Sequence, residues 1–291
     1  MKLAVYTPTY NRADELQLLY NSLVEQTNKD FFWLIIDDGS TDDTEEKVNE
    51  WQKSSVFKII YLKKENGGKH TAINKALDIV DNYWNLCVDS DDWFISNGAI
   101  QKIKNDIDEC INREEIISLV YPLQLSGKKV RKVNHKPMVI KDCDARNKKL
   151  NVTEVTIVSR PHAYKEIRFP IFKGERFIAE DAIEIPKLID KSRIYINDPV
   201  VEGKYLSDGL TNNILLYWKQ NPKGYYYVRN IKADFYKREK QFIKMMRPLG
   251  QIVAFNYDNK NPLLYKISNK IIGAFSIPFG LIYWKRKFIR K

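Results

Sequence analysis

Residues 84–93 read Trp84-Asn85-Leu86-Cys87-Val88-Asp89-Ser90-Asp91-Asp92-Trp93. An apolar run stops abruptly in three carboxylates. A buried strand that ends in Asp-x-Asp carries its acids at the carboxyl end, which in open α/β sheets is where ligands bind. Asp89 and Asp91 lie two apart, so in an extended chain they project to one side. Two hard oxygen donors there suit a divalent cation such as Mg²⁺ or Mn²⁺, with a diphosphate completing the shell. Alone, the motif is a weak signal that more often marks a solvated acidic turn, and the rest of the chain decides between the two.

Upstream, Leu3-Ala4-Val5-Tyr6 reads as a short buried strand stopped by Thr7-Pro8-Thr9. Leu16, Leu19, Tyr20, Leu23 and Val24 then share one helix face. Trp33-Leu34-Ile35-Ile36 is a second strand ending in Asp37-Asp38-Gly39-Ser40, and Ser40 with Asp43 resembles a capping box that starts a helix. Lys58-Ile59-Ile60-Tyr61-Leu62 is a third strand and Asn66-Gly67-Gly68 a loop. Ala72, Ile73, Ala76, Leu77 and Val80 form another helical face before the fourth strand at 84–88. Strands alternating with helices predict a parallel sheet with right-handed crossovers. The ends of the first, second and fourth strands then line one crevice. Two acidic strand ends on one edge repel each other unless a cation or a positive side chain offsets them, which favours a site over a bland turn.

Downstream, Ile100, Ile103 and Ile107 give a helix, and 116–125 and 152–158 read as strands around an exposed basic excursion at 128–149. Glu180-Asp181 leads into a helix with Ile185, Leu188 and Ile189 inward. Strands follow at 194–196 and 200–206. From about Thr211 the composition turns aromatic and basic, with one long helical pattern around 225–246. The expected division is a catalytic domain at 1–211 and a mainly helical region at 212–291.

With 291 residues, 44% of them hydrophobic, the chain can build one sizeable core and a smaller second region. Cys87, Cys110 and Cys143 are few, odd in number and without metal-ligand spacing, as expected of reduced thiols in a cytosolic protein. No long apolar signal segment opens the chain. The net charge of +11 implies an anionic partner: nucleic acid, a membrane surface or a phosphorylated ligand. No recognition helix, zinc site or aromatic-basic RNA motif is present, which argues against nucleic acid. The apolar run 271–284, interrupted by Pro278, is too short to span a bilayer, which needs about 20 residues. Tyr283 and Trp284 sit where it meets the basic residues 285–291, predicting a peripheral, monotopic attachment to the cytoplasmic face of the cell membrane. The alternative is a terminal helix packed on the protein.

Thr7-Pro8-Thr9-Tyr10-Asn11-Arg12, Asp37-Asp38-Gly39-Ser40-Thr41-Asp42, Asn66-Gly67-Gly68 with Asn74, Asp89-Ser90-Asp91-Asp92 and Glu180-Asp181 occur in that order. Over roughly residues 1–208 this set resembles the family 2 glycosyltransferases, inverting nucleotide-sugar enzymes of the GT-A fold. The resemblance implies a Rossmann-like α/β domain, a mostly parallel central sheet flanked by helices. It implies that Thr7, Pro8 and Tyr10 wall the nucleobase and that Asp37 accepts a hydrogen bond from the base imide of a uracil nucleotide. Asp38, Lys69 and Ser90 join the nucleotide pocket, and Asp89 lies near the ribose and the metal. Asp91 coordinates the Mn²⁺ or Mg²⁺ that bridges the diphosphate, and Asp181 is the catalytic base. Two features depart from the family pattern. Ile73 stands where many relatives carry Arg, leaving Lys69 or His70 to supply the charge. No His follows His162, so the protein side of the metal shell lacks the late His of some relatives. Glu180 either orients Asp181 or caps its helix, Asp92 is a cap or hydrogen-bond partner, Trp93 is core or acceptor border, and Asp208 is a turn.

The implied activity moves a hexosyl or N-acetylhexosaminyl group from a nucleotide diphosphate sugar, a UDP-sugar foremost, to a glycan or lipid-linked saccharide in bacterial surface polysaccharide synthesis. An inactive relative that only binds nucleotide sugar or glycan is the alternative, and the intact Asp89, Asp91 and Asp181 argue against it. A sugar-phosphate nucleotidyltransferase would need a Gly-rich signature where Thr7-Pro8-Thr9-Tyr10 stands.

Overall fold

The computed structural model describes residues 2–127, 138–140, 154–204 and 213–288. Contacts divide the chain into two units, Met1–Arg168 with Asp190–Asn213, and Phe169–Ile189 with Ile214–Lys291.

In the first unit, β1 (Leu3–Thr9), β2 (Phe31–Asp37), β3 (Lys58–Lys63) and β4 (Trp84–Cys87) alternate with α1 (Ala13–Val24), α2 (Thr44–Ser54) and α3 (Lys69–Val80). The four strands are parallel in the order β3-β2-β1-β4. β1 and β2 are buried along their whole length, as strands covered on both faces must be. β1 does not stop at Tyr6 as expected; it runs through Pro8 to Thr9. Val88 N–H donates to the Tyr6 carbonyl on the β4 side, and β4 ends at Cys87, so two residues on no ladder bond is asked of the Pro8 nitrogen. On the other side the ladder continues, with Asp38 N–H donating to the Thr9 carbonyl.

α1 buries Leu16, Leu19 and Leu23, and the Tyr20 ring stacks on Trp51 of α2 with centroids 4.5 Å apart. Val24, expected on that face, is exposed. α2 begins at Thr44 without a capping box. The Ser40 hydroxyl instead accepts the Asn11 N–H at 2.8 Å.

Beyond β4 the sheet becomes mixed. β9 (Val155–Ser159) pairs antiparallel with β4 and with β6 (Ile116–Pro122); β10 (Ser192–Tyr195) runs parallel to β6, and β8 (Met138–Ile140) closes the edge. α4 (Ala99–Asp108) buries Ile100, Ile103 and Ile107. The run 116–125 is two strands, because β7 (Gln124–Leu125) leaves β6 for a small sheet with β5 (Asp92–Phe94) and β11 (Val201–Gly203). Apart from 138–140, the basic excursion 128–149 lies outside the described residues, as do Cys143, His135 and Asp208.

The second unit holds α5 (Asp181–Lys187), α6 (Ile214–Gln220), α7 (Pro222–Arg238), α8 (Phe242–Asp258), α9 (Lys270–Phe275) and α10 (Ile277–Lys287). Residues 169–189, read from sequence with the first 211, pack here. In and after α5, Ile185 and Leu188 are buried, whereas Ile189 is exposed. The expected long helix at 225–246 is two helices. Lys240 takes φ +56, and Gln241 N–H donates to the Tyr236 carbonyl while Lys240 N–H donates to Lys237, which closes α7 with a left-handed cap. Pro278 does not interrupt a helix; it sits in the first turn of α10, where no amide donor is needed.

α10 lies against α8 at backbone distance. A Cβ on Gly280 would stand 2.6 Å from the Gly250 carbonyl oxygen and 2.7 Å from Val253 Cβ. Both close atoms belong to a helix that cannot yield cheaply. Gly280→Ala is therefore expected to destabilise by about 1–3 kcal/mol. Gly98→Ala, with nothing within 4 Å of the added carbon, should stay within about 0.5 kcal/mol. Denaturant midpoints of the two variants check this.

Candidate functional site

The carboxyl ends of β2, β1 and β4 stand side by side, with Thr9 in register with Asp37. Asp37 and Asp38 close β2 and are both buried. The Asp37 carboxylate accepts Ser40 N–H at 2.7 Å and the Tyr61 hydroxyl, an arrangement that, after burial, pushes the Tyr61 phenol well above its ordinary range. Asp38 accepts Lys64 Nζ at 2.6 Å, Gly67 N–H at 3.0 Å and Gly68 N–H at 2.7 Å. Each acid is thus engaged by the loops around it. Thr7 is also interior, its hydroxyl accepting Trp33 Nε1–H at 3.0 Å. Pro8 is buried in β1, and of the three expected base-wall residues Tyr10 alone offers surface, with 47% of it exposed.

Gly68 turns the chain with φ +95 into α3, whose first residue is Lys69. Its ammonium lies 2.8 Å from both oxygens of Asp89. Residues 89–92 form a tight turn, with Asp92 N–H donating to the Asp89 carbonyl at 3.1 Å. The extended geometry expected for Asp89 and Asp91 is therefore replaced by a turn carrying Asp89, Ser90, Asp91 and Asp92. Burial first, then the Asp89 charge, raises Asp91 above the usual carboxylate range. Burial first, then the charges of Asp89 and Asp91, pushes Asp92 up to about 8. Asp92 pairs with Gly203 across β5 and β11, and its carboxylate fills the space a Cβ at 203 would need.

Mutual repulsion of this kind is what a bound divalent cation would offset, and oxygen donors suit Mn²⁺ or Mg²⁺. Asp89 and Asp91 fit that role. Among the described residues no group of three or more His, Cys, Asp or Glu forms a metal cluster, so a diphosphate would have to supply further ligands. His70, the other candidate for positive charge, is buried in α3. In the second unit, Asp181 opens α5 with its side chain 41% exposed and Lys232 Nζ at 3.6 Å. Glu180 takes the N-cap position without a side-chain cap bond. Trp93 is half-buried in β5. Tyr61 and Lys64, which hold Asp37 and Asp38, escaped the sequence reading; a Lys two residues before Asn66-Gly67-Gly68 was the one available signal.

Residues 4–113 match the family model described as Glycosyl transferase family 2. GlyA, a glycosyltransferase of Streptococcus pneumoniae, is 34% identical over 92 residues, 32% of this chain and 13% of GlyA. The poly(ribitol-phosphate) beta-N-acetylglucosaminyltransferase TarS of Staphylococcus aureus is 33% identical over 111 residues, 38% of this chain and 19% of TarS. The chain thus spans a minor part of these curated relatives. The crystal structure of S. aureus TarS 1-349 in complex with UDP-GlcNAc aligns at TM-score 0.62 and 18% identity, over 98% of this chain and 90% of that one. Mannosyltransferase PcManGT from Pyrobaculum calidifontis, in complex with GDP-Man and Mn²⁺, aligns at TM-score 0.53 and 14% identity, over 96% and 75%. At such identities the likeness is one of fold, and the fold is GT-A.

An acid whose folded pKa lies above its unfolded one stabilises the fold only while protonated. For Asp92, whose folded pKa is about 8, that contribution is complete below the unfolded value of about 4. It is lost as pH rises through about 8. In chelator, Asp92→Asn is expected to melt above the parent near pH 9, with the gap closing as pH falls towards about 5. Melting curves across that range check it.

Proposed function

We propose that this chain, which carries a family 2 glycosyltransferase domain over residues 4–113, moves a sugar from a nucleotide diphosphate sugar to a hydroxyl of a glycan or lipid-linked saccharide, inverting the anomeric carbon. The observation that carries this is the acid turn 89–92 facing Lys69 at the carboxyl ends of the parallel strands. A UDP-sugar donor and a bacterial surface polysaccharide acceptor are supported by TarS, whose name specifies N-acetylglucosaminyl transfer to poly(ribitol-phosphate) and whose crystal structure holds UDP-GlcNAc.

Tyr10 offers its ring to the nucleobase. Thr7, Pro8, Asp37 and Asp38 shape the pocket from behind. In the displacement the acceptor oxygen bonds to the anomeric carbon as the bond to the phosphate oxygen breaks, its electron pair leaving with the nucleoside diphosphate. The Lys69 ammonium, next to Asp89, opposes the negative charge that collects there. Asp89 and Asp91 would hold Mn²⁺ or Mg²⁺, which when bound supplies a Lewis acid for the departing phosphate. Asp181 takes the acceptor proton as general base, late in the displacement when that hydroxyl has become acidic; Lys232 fixes its direction.

The proposal includes attachment to an anionic membrane face. Among the described residues no helix is long and apolar enough to cross a membrane. Ile271 (74% exposed), Phe275 (71%) and Ile282 (55%) instead point outward from α9 and α10, flanked by Lys270, Lys285, Arg286 and Lys287. An apolar stripe between cations suits the headgroup boundary.

UDP with Mn²⁺ should raise the melting temperature of the parent by mass action, and Asp91→Ala should lose the Mn²⁺-dependent part. Asp181→Asn should keep that shift and lose about 100-fold or more in transfer; transfer near the parent rate would remove Asp181 as the base. Co-sedimentation with anionic vesicles should fall as salt rises and vanish in an Ile271→Glu, Phe275→Glu double variant.

A further inference from the structure

In the second unit, α7 and α8 fold back on each other. Tyr225 stacks on Phe255, and the Tyr226 hydroxyl donates to Asn256 Oδ1 at 2.6 Å. The turn between them is the tip of an antiparallel helix hairpin, about 20 Å along α8 from that contact at 1.5 Å per residue. Its sequence is the reverse of what a helix start in water favours. Such starts carry Ser, Thr, Asp or Asn as cap and acids in the first turn. Gln241 takes the N-cap position of α8 without a side-chain cap bond, and no acid stands in the first turn. Phe242, Ile243 and Lys244 open the helix instead. Ile243 is 86% exposed, the most of any large hydrophobic residue among the described residues, and Phe242 53%.

The two apolar side chains stand among Lys237, Arg238, Lys240, Lys244 and Arg247, with Glu239 the one acid in 237–247. Lys237, Arg238, Lys240 and Arg247 are exposed. Basic residues in the last turn of α7 suit the negative end of that helix, but Lys244 at the positive end of α8 does not. An anionic surface in front of the tip would offset both. Ile243 shares a face of α8 with Gly250, seven residues on, because two helical turns take about 7.2 residues. Gly250 is where α8 receives Phe279 of α10, since a Cβ there would lie 2.5 Å from that ring. Ile243 and α10 thus lie on the same side of α8. Phe279 in turn follows the exposed Phe275 and Ile271 at helical spacing.

We propose that the α7–α8 tip is a second membrane anchor: Phe242 and Ile243 enter the headgroup boundary of an anionic bilayer while the surrounding Lys and Arg meet the lipid phosphates. A leaflet offers in one place both things the tip displays a partner for, a negative face and an apolar layer beneath it. A second copy of the chain would bring the same cations against each other, and a nucleic acid would leave Ile243 in water. One shallow anchor holds weakly and reversibly, and two make attachment stable. Held at the tip and at the α9–α10 stripe, the second unit cannot swivel, so Asp181 keeps one attitude to a lipid-linked acceptor. The inference rests on the membrane attachment proposed above, but the share of binding that belongs to the tip is measured apart from that of α9 and α10.

The test sediments full-length protein with vesicles of phosphatidylglycerol and phosphatidylcholine in equal parts, and with phosphatidylcholine alone as control. Phe242→Ser with Ile243→Ser should weaken partitioning onto the anionic vesicles about tenfold or more. Lys240→Gln with Lys244→Gln should weaken it by a similar factor and flatten its salt dependence. Parent-like partitioning of the double serine variant overturns the tip; if Ile271→Glu with Phe275→Glu has lost binding in the same assay, the attachment proposed above stands without it. Loss in the tip variant beside unchanged binding in the Ile271→Glu, Phe275→Glu variant upholds the tip and removes the stripe. A parent that stays in the supernatant with anionic vesicles overturns both. Hydrogen exchange of the parent, which needs no variant, should slow over 237–247 with anionic vesicles; unchanged exchange there beside measurable partitioning overturns the tip. A parent that dimerises in buffer, with the dimer lost in the double serine variant, assigns the surface to a second copy and overturns the bilayer. The UDP and Mn²⁺ melting shift should match in parent and both variants, so a failure of the glycosyltransferase reading shows separately.

Discussion

The site hangs on one buried carboxylate. Asp38 takes two backbone N–H groups and the Lys64 ammonium at the end of β2. Those three bonds pull the 66–68 loop onto the sheet and fix where α3 starts. Lys69 is the first residue of that helix, so its reach to Asp89 is set from Asp38. Removing one partner of such a network leaves the others buried and unsatisfied, which costs more than the bond itself is worth. The negative turn 89–92 is therefore balanced by a cation whose address is written on a neighbouring strand.

The four parallel strands and the three helices between them were legible because the strands are largely apolar and each helix carries one clean buried face. Less legible was whatever depends on a distant partner. Asp37 and Asp38 read as open ligands, yet Tyr61 and Lys64, 24 and 26 residues on, occupy them. Ser40 read as a cap, but Asn11 has it. The raised Asp92 depends on burial, and the Gly203 it packs against is its partner in the small sheet, far along the chain. The single long helix failed at Lys240, where a left-handed residue that is not glycine carries no sequence warning. Thr7 and Pro8 matched their motif by position and turned out interior, because β1 continues past the proline.

The two units carry different chemistry. The first concentrates negative charge at strand ends and meets it with lysine, an arrangement suited to a polyphosphate and its counter-ion. The second is built on aromatic contacts, Tyr225 stacked on Phe255 and Tyr226 meeting Phe255 and Tyr265 edge-to-face, with cations laid on the rings. Asp181 opens the short α5, while Arg229 lies within the 17-residue α7.

Gly203 has a reach beyond its size. Its missing side chain is the room in which the Asp92 carboxyl sits, so an alanine there would evict a proton-binding group into solvent. Such an exchange would register less as lost packing than as an extra negative charge at neutral pH beside Asp89 and Asp91. One methyl group on the central strand of the small sheet would thus act as an ionisation switch for the turn.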